Sequence, residues 1–394
     1  MTRLWDTGAP LDARVLAYTA GDDYLLDERL VGYDVQASLA HARMLHDQGL
    51  LTAEDLAAIT AGLNDLARSH AAGEWHIELA DEDGQTALET RLTQQIGAAG
   101  ARIHLGRSRN DQVLTALRLY LRDATRELAT AARHVAAALD ELGAREPSTV
   151  LPGYTHMQQA MPSSVTLWAG GFAAEIRDDA DNLEGVLRRL GRNPLGSAAG
   201  YGAPGLPLDR DATTRALGFD STQTPVTAVQ LSRGKAEAHL LFEITLLMQD
   251  LGRFAADVLL FYTREFGFLA LPDAFTTGSS IMPQKRNPDV FELLRGRTAT
   301  AQAALTEALG IFAKLPSGYQ RDLQLLKAPL FRGIDLASQT LELLPHAIAA
   351  MAFKPQYIKL DPAIHAAEQA YAMVVREGIP FREAYRRIAA KLKE

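Results

Sequence analysis

Three short stretches of this chain concentrate hydrogen-bond donors and acid–base groups. Residues 276–289 (Thr-Thr-Gly-Ser-Ser-Ile-Met-Pro-Gln-Lys-Arg-Asn-Pro-Asp) place Gly278, Ser279, Ser280, Lys285 and Asn287 between helical flanks, with no acid before Asp289. Such a loop suits an anion: Gly278 can take positive φ and let the backbone approach a ligand, and the Ser, Lys and Asn side chains donate without opposing negative charge. A polar turn in which Pro283 and Pro288 stop one helix and start the next would use the same residues. Residues 104–112 (His-Leu-Gly-Arg-Ser-Arg-Asn-Asp-Gln) put Arg107, Arg109 and Asn110 at a helix start, a good cradle for a carboxylate or phosphate. Ser108 with Asp111 also makes an ordinary capping signature there. Residues 152–162 (Pro-Gly-Tyr-Thr-His-Met-Gln-Gln-Ala-Met-Pro) form a Pro-bounded turn presenting Thr155, His156 and Gln158. Histidine is the side chain whose charge changes most easily near neutral pH, although most of the ten in this chain must be structural.

The elements that must position these groups are helices. Val113, Leu117, Leu121, Ala124, Leu128, Ala131, Val135 and Leu142 recur at helical spacing with no Gly or Pro before Gly143. That predicts one helix of about thirty residues, roughly 45 Å long. Similar patterns predict long helices over residues 163–190, 226–265, 289–314 and 323–353, with Tyr319, Arg321, Gln324 and Lys327 at the last junction. Residues 11–100 read as several shorter helices, one opened by the capping pattern Thr52-Ala-Glu-Asp. They end near an acidic segment, residues 81–89, that suits a helix start as well as a site. The Gly- and Pro-dense stretch 193–210 is long for a connector inside a compact protein, and such loops are disproportionately functional. Almost no strand pattern is present. The expectation is an all-α chain in three parts: an N-terminal helical domain (residues 1–103), a central bundle of long helices carrying the loops (104–353) and a small C-terminal helical domain (354–394).

Composition narrows the chemistry. With 394 residues, 47% hydrophobic and 22% charged, the chain can bury a large core. A formal charge of -8 argues against a nucleic-acid surface. The absence of cysteine removes thiol catalysis and Cys-ligated metals and fits a reducing cytosol. Residues 1–10 carry no basic segment followed by an apolar run, so no signal peptide is expected. The most apolar stretch, residues 240–262, is interrupted by Glu243, Asp250, Arg253 and Asp257, so a buried helix is expected there and no membrane span.

Helix length has a geometric consequence. The 107–111 segment and the Thr155–His156 turn flank one long helix, so within a chain they should lie tens of Å apart. If both serve one site, another copy of the chain must supply one of them.

Residues 106–112, 153–158 and 278–288 together resemble the signatures of the fumarase/aspartase superfamily, and within it those of the argininosuccinate lyases. The resemblance covers nearly the whole chain in order, from about Asp27 onward. It implies a homotetramer with a central helical bundle and sites built from several subunits. It also implies reversible cleavage of argininosuccinate to arginine and fumarate, with neither metal nor organic cofactor. By this resemblance Ser279 is the general base, with Ser280 beside it as the alternative. Lys285 and Asn287 stabilise the aci-carboxylate intermediate, and His156 takes part in proton transfer to the departing guanidinium. Thr155 and Asn110 hold substrate carboxylates, Arg109 orients that network and Gln158 lies beside them. Tyr319, Gln324 and Lys327 hold the arginine-derived end. The chain departs from the family pattern at Gln85, where a histidine is usual, at Asp23, where a serine is usual, and at residues 231–235 (Leu-Ser-Arg-Gly-Lys). Those departures leave open a related succinyl adduct such as N-acetylargininosuccinate. A non-catalytic, crystallin-like structural role is the reading from a different class.

Overall fold

The computed structural model describes residues 12–392; the reading of residues 1–10 lies outside them. Helices dominate. In chain order they are α1 (Ala13–Ala20), α2 (Asp23–Leu26), α3 (Val31–Asp47), α4 (Ala53–Ala71), α5 (Gly84–Ile96), α6 (Ala98–Arg102), α7 (Arg109–Arg145), α8 (Val165–Leu190), α9 (Arg210–Ala216), α10 (Thr227–Leu231), α11 (Lys235–Tyr262), α12 (Asp289–Phe312), α13 (Lys327–Ala349), α14 (Ala366–Glu377) and α15 (Phe381–Lys391). The all-α expectation holds, and no described helix is long and apolar enough to cross a membrane.

The chain divides into two compact units, and α7, α8, α11, α12 and α13 each contribute one stretch to each. The first unit holds residues 1–127, 182–244 and 301–335. Its N-terminal core packs Val35, Leu45, Ile59, Leu63, Leu88 and Leu92 from α3, α4 and α5. Thr52 begins α4 as the sequence predicts: its hydroxyl accepts from the Asp55 amide at 3.1 Å, and Asp55 accepts from the Thr52 amide in return. The second unit holds residues 128–181, 245–300 and 336–394. Trp168 centres its aromatic core, stacked on Phe254 at 5.5 Å and edge-on to Phe172 and Phe353, while its indole N–H donates to Asp257 at 3.0 Å.

Two local readings are corrected. The 152–162 stretch is the centre of a β-hairpin rather than a simple turn: β1 (Val150–Thr155) pairs antiparallel with β2 (Gln158–Ser164), with a bulge at Gly153/Tyr154. Pro152 faces Pro162 in the ladder, and two prolines hide a strand pattern from sequence reading. The helix expected over 226–265 is broken. Gly234, at φ 82, separates α10 from α11, and a Cβ there would meet the Phe312 ring at 2.3 Å.

Candidate active site

A cavity in the first unit gathers the arginine-, amide- and lysine-bearing segments that the sequence keeps far apart. The first turn of α7 contributes Arg109 and Asn110, the turn before α13 contributes Tyr319 and Gln324, and Lys327 opens α13 itself. Five sequence-predicted site residues therefore share one cavity. Arg109 is oriented by an ion pair of 2.6 Å with Asp83, the N-cap of α5, whose other oxygen accepts from the Thr86 amide at 2.8 Å. Gln324 is fixed by donating to the carbonyls of Thr19 and Ala20 at 3.0 and 3.2 Å. Arg107 does not join them. It turns into the N-terminal core, 7% exposed, and donates to Ser38 at 2.8 Å.

Lys327 is buried between two carboxylates, 2.5 Å from Asp27 and 2.7 Å from Asp23. Burial acts to lower its pKa, but the adjacent Asp27 and Asp23 outweigh it and the net shift is upward. Asp27 is also held by the Gly84 amide at 3.0 Å. Asp23 lacks such support. Its Oδ1 touches Lys327 without an aligned donor, and burial, opposed by Lys327 and reinforced by Asp27, pushes its carboxyl up to about 7.

The cavity also exposes residues to which sequence reading assigned no site role. Asp83 and Gln85 come from the acidic segment, and Arg321 pairs with Glu82 at 3.7 Å. Arg233 is the most informative: it is 5% exposed, lies over the Tyr319 ring at 5.5 Å, and its Nε and Nη1 have no hydrogen-bond partner. The signal for it was Gly234, whose left-handed backbone ends the helical pattern and turns Arg233 out of a continuous helix.

Asp111 ties the Gly-rich loop to the start of α7. Fully buried, it accepts from the Ser108 amide at 2.8 Å and from the Gly196 and Ala198 amides at 2.9 and 2.8 Å. Burial raises its pKa to about 6 against the pull of those amides. The capping reading of this segment is realised through Asp111, and Arg109 with Asn110 line the cavity.

The other six predicted residues belong to two surface loops of the second unit. Thr155, His156 and Gln158 sit at the exposed tip of the hairpin, where His156 (φ 52) and Met157 (φ 61) form a two-residue turn with both backbones left-handed. Gln159 braces the hairpin, donating to the Lys359 carbonyl at 2.9 Å and accepting from the Asp361 amide at 2.8 Å. The second loop leaves and rejoins a short pairing of Thr277–Gly278 with Arg286–Asn287. Ser279 is half-buried, and its Oγ accepts from the Met282 and Ile281 amides at 3.2 and 3.4 Å; Lys285 is exposed. Gly278 is not at positive φ, so the backbone freedom expected of it is not used here.

The model of a family described as lyase matches residues 10–302. An argininosuccinate lyase of Sorangium cellulosum is 47% identical over 99% of this chain and 90% of its own length. One from Stenotrophomonas maltophilia is 43% identical over 98% and 90%. Among solved structures, an EDDS lyase in complex with formate superposes with a TM-score of 0.81 at 26% identity, covering 97% of this chain and 76% of that one. A class II fumarase from Schistosoma mansoni, 17% identical, shares the fold with a TM-score of 0.79 over 98% and 91%.

Proposed function

The chain belongs to the lyase family, and from that premise we propose that it cleaves argininosuccinate to arginine and fumarate. The observation that carries the reading is the cavity of the first unit, where Arg109, Asn110, Tyr319, Gln324 and Lys327 converge with a second carboxylate on Lys327, Asp23, and with Arg233. An amino-acid end needs that combination of charges.

The reaction removes a proton from the carbon beside a carboxylate and breaks the neighbouring carbon–nitrogen bond. The intermediate carries two charges on one carboxyl group, so preorganised donors dominate catalysis. Ser279 takes the proton. The two backbone amides at its Oγ favour the alkoxide, and Lys285 and Asn287 add positive charge and a donor as the loop closes and excludes water. His156 passes a proton to the departing guanidinium nitrogen. Thr155, Gln158 and Asn110 hold carboxylate oxygens, Arg109 orients Asn110, and Tyr319, Gln324 and Lys327 hold the arginine end.

The site is shared between subunits of a homotetramer working in the cytoplasm. The 37-residue α7 supports a shared site, since at ~1.5 Å per residue it is about 55 Å long. Large apolar side chains left exposed on the long helices support it too, among them Leu167 at 68% and Leu293 at 63%. The test is fumarate absorbance on adding argininosuccinate. Release confirms the activity; release only from the N-acetylated adduct moves the substrate, and no release from any succinyl adduct returns the chain to a structural role. Ser279→Ala is expected to abolish turnover with the oligomer intact, and a near-normal rate would remove Ser279 from the mechanism.

A further inference from the structure

The charges around Lys327 do not balance. Arg109 is matched by Asp83, Arg321 by Glu82, and Lys327 by Asp27, which the Gly84 amide also holds in place. Asp23 is then a second carboxylate on an ammonium that already has one. It lines the cavity, it is 8% exposed, and Lys327, already paired with Asp27, is its one ion-pair partner among the described residues. A substrate carboxylate approaching Lys327 would meet this negative charge. An ammonium group would meet a carboxylate that has to share Lys327 with Asp27, and the cavity wall also carries a cation without an ion-pair partner, Arg233.

We propose that Asp23 determines specificity at the amine end of the cavity: as a carboxylate it docks the free α-ammonium of the amino-acid product and directs the adjacent carboxylate to Arg233, so that N-acylated substrates are rejected. The inference rests on the lyase reading for the identity of the ligand and deepens it by choosing between the free and acylated substrate classes. Removing the ammonium charge by acylation leaves a buried carboxylate facing an amide, and losing a charge-assisted hydrogen bond of this kind weakens binding by roughly 10- to 100-fold.

Titration gives the proposal a sign. Asp23 is faced by Lys327 from α13, by Asp27 from the turn after α2, by Asp83 from the cap of α5 and by Arg233 from the α10–α11 break. Burial, reinforced by Asp27 and opposed by Lys327, raises its carboxyl to about 7. An arriving ammonium favours the ionised form, so binding must release a proton near neutral pH and weaken as pH falls below about 7. Docking of a carboxylate at Lys327 would do the opposite and take a proton up.

The experiment is calorimetry of L-arginine binding to the intact enzyme at pH 7 in two buffers of different ionisation enthalpy, repeated with N-acetyl-L-arginine and with Asp23→Asn. The expected result is net proton release on binding by the wild type. Arginine should be preferred over its acetylated form by at least about 10-fold. Asp23→Asn should lose both the proton release and most of the preference. Proton uptake, equal affinity for the two ligands, or no arginine binding at all would each overturn the proposal on the wild type alone, whatever the variant's folding. Fumarate release from argininosuccinate, assayed on the same preparation, reports on the lyase reading separately.

Discussion

Asp111 shows how one side chain serves position and stability together. Its two oxygens satisfy three backbone amides, one at the start of α7 and two in the Gly-rich loop, so the loop is registered on the helix that carries Arg109 and Asn110. Asp111→Ala leaves those amides buried without acceptors, each costing roughly 1–3 kcal/mol. Denaturant unfolding should show the loss, with faster deuterium exchange across residues 193–210; an unchanged midpoint would mean that the loop holds itself. The pH dependence has a definite sign. Because its folded pKa is raised to about 6, the Asp111 contribution is fully present below the unfolded value near 4 and is lost as pH rises through about 6. The stability gap between wild type and Asp111→Ala should therefore narrow across that window. A gap that widens with pH would show that the amides outweigh burial.

At the scale of elements, the hairpin tip stores strain where chemistry is proposed. A two-residue turn with both φ positive favours Asn and Gly, yet here it holds His156 and Met157. Met157→Gly should relieve the penalty and raise stability by roughly 1 kcal/mol, with turnover kept if only His156 is chemical. A destabilised variant would mean that the Met157 side chain packs against something that forms on assembly. His156→Asn is a clean companion, because Asn tolerates the same backbone while removing the imidazole ring; it should fold with native melting and lose turnover. The helices were legible because each repeats its apolar positions many times over, so that single exceptions do not hide the period. The hairpin was not, since Pro152 and Pro162 break strand alternation, and neither was the break at Gly234, which a helical pattern absorbs until the φ of 82 is known. Gly234→Ala is accordingly expected to cost far more than a helix-interior Gly→Ala change. It forces a Cβ into the Phe312 ring and shifts the neighbouring Arg233, so melting temperature should fall and the KM for substrate rise together.

For the whole molecule, the candidate site was legible as three motifs and illegible as one pocket, and the reason is physical. Sequence gives spacing along α7 but not which copy of the chain lies beside its far end. It also did not show that Asp83, Arg233 and Arg321 line one cavity with the first turn of that helix, because their segments lie far apart in the chain. Five predicted residues meet in the cavity, while the two loops bearing Ser279 and His156 lie open on the surface of the second unit. A shared site makes a quantitative prediction. Suppose Asn110 and His156 of any one site come from different chains. Asn110→Ala and His156→Asn homo-oligomers are then each inactive, because every site inherits one lesion. In oligomers reassembled from equal amounts of the two variants, a site is intact when its Asn110 comes from the His156 variant and its His156 from the Asn110 variant. Random mixing makes that true for about a quarter of the sites. Fumarate release should therefore reappear at about a quarter of the wild-type rate, with KM unchanged, once the mixture has been dissociated and reassembled. No recovery from a properly reassembled mixture would mean that both residues act from the same chain, and the argument from the length of α7 would fail with it.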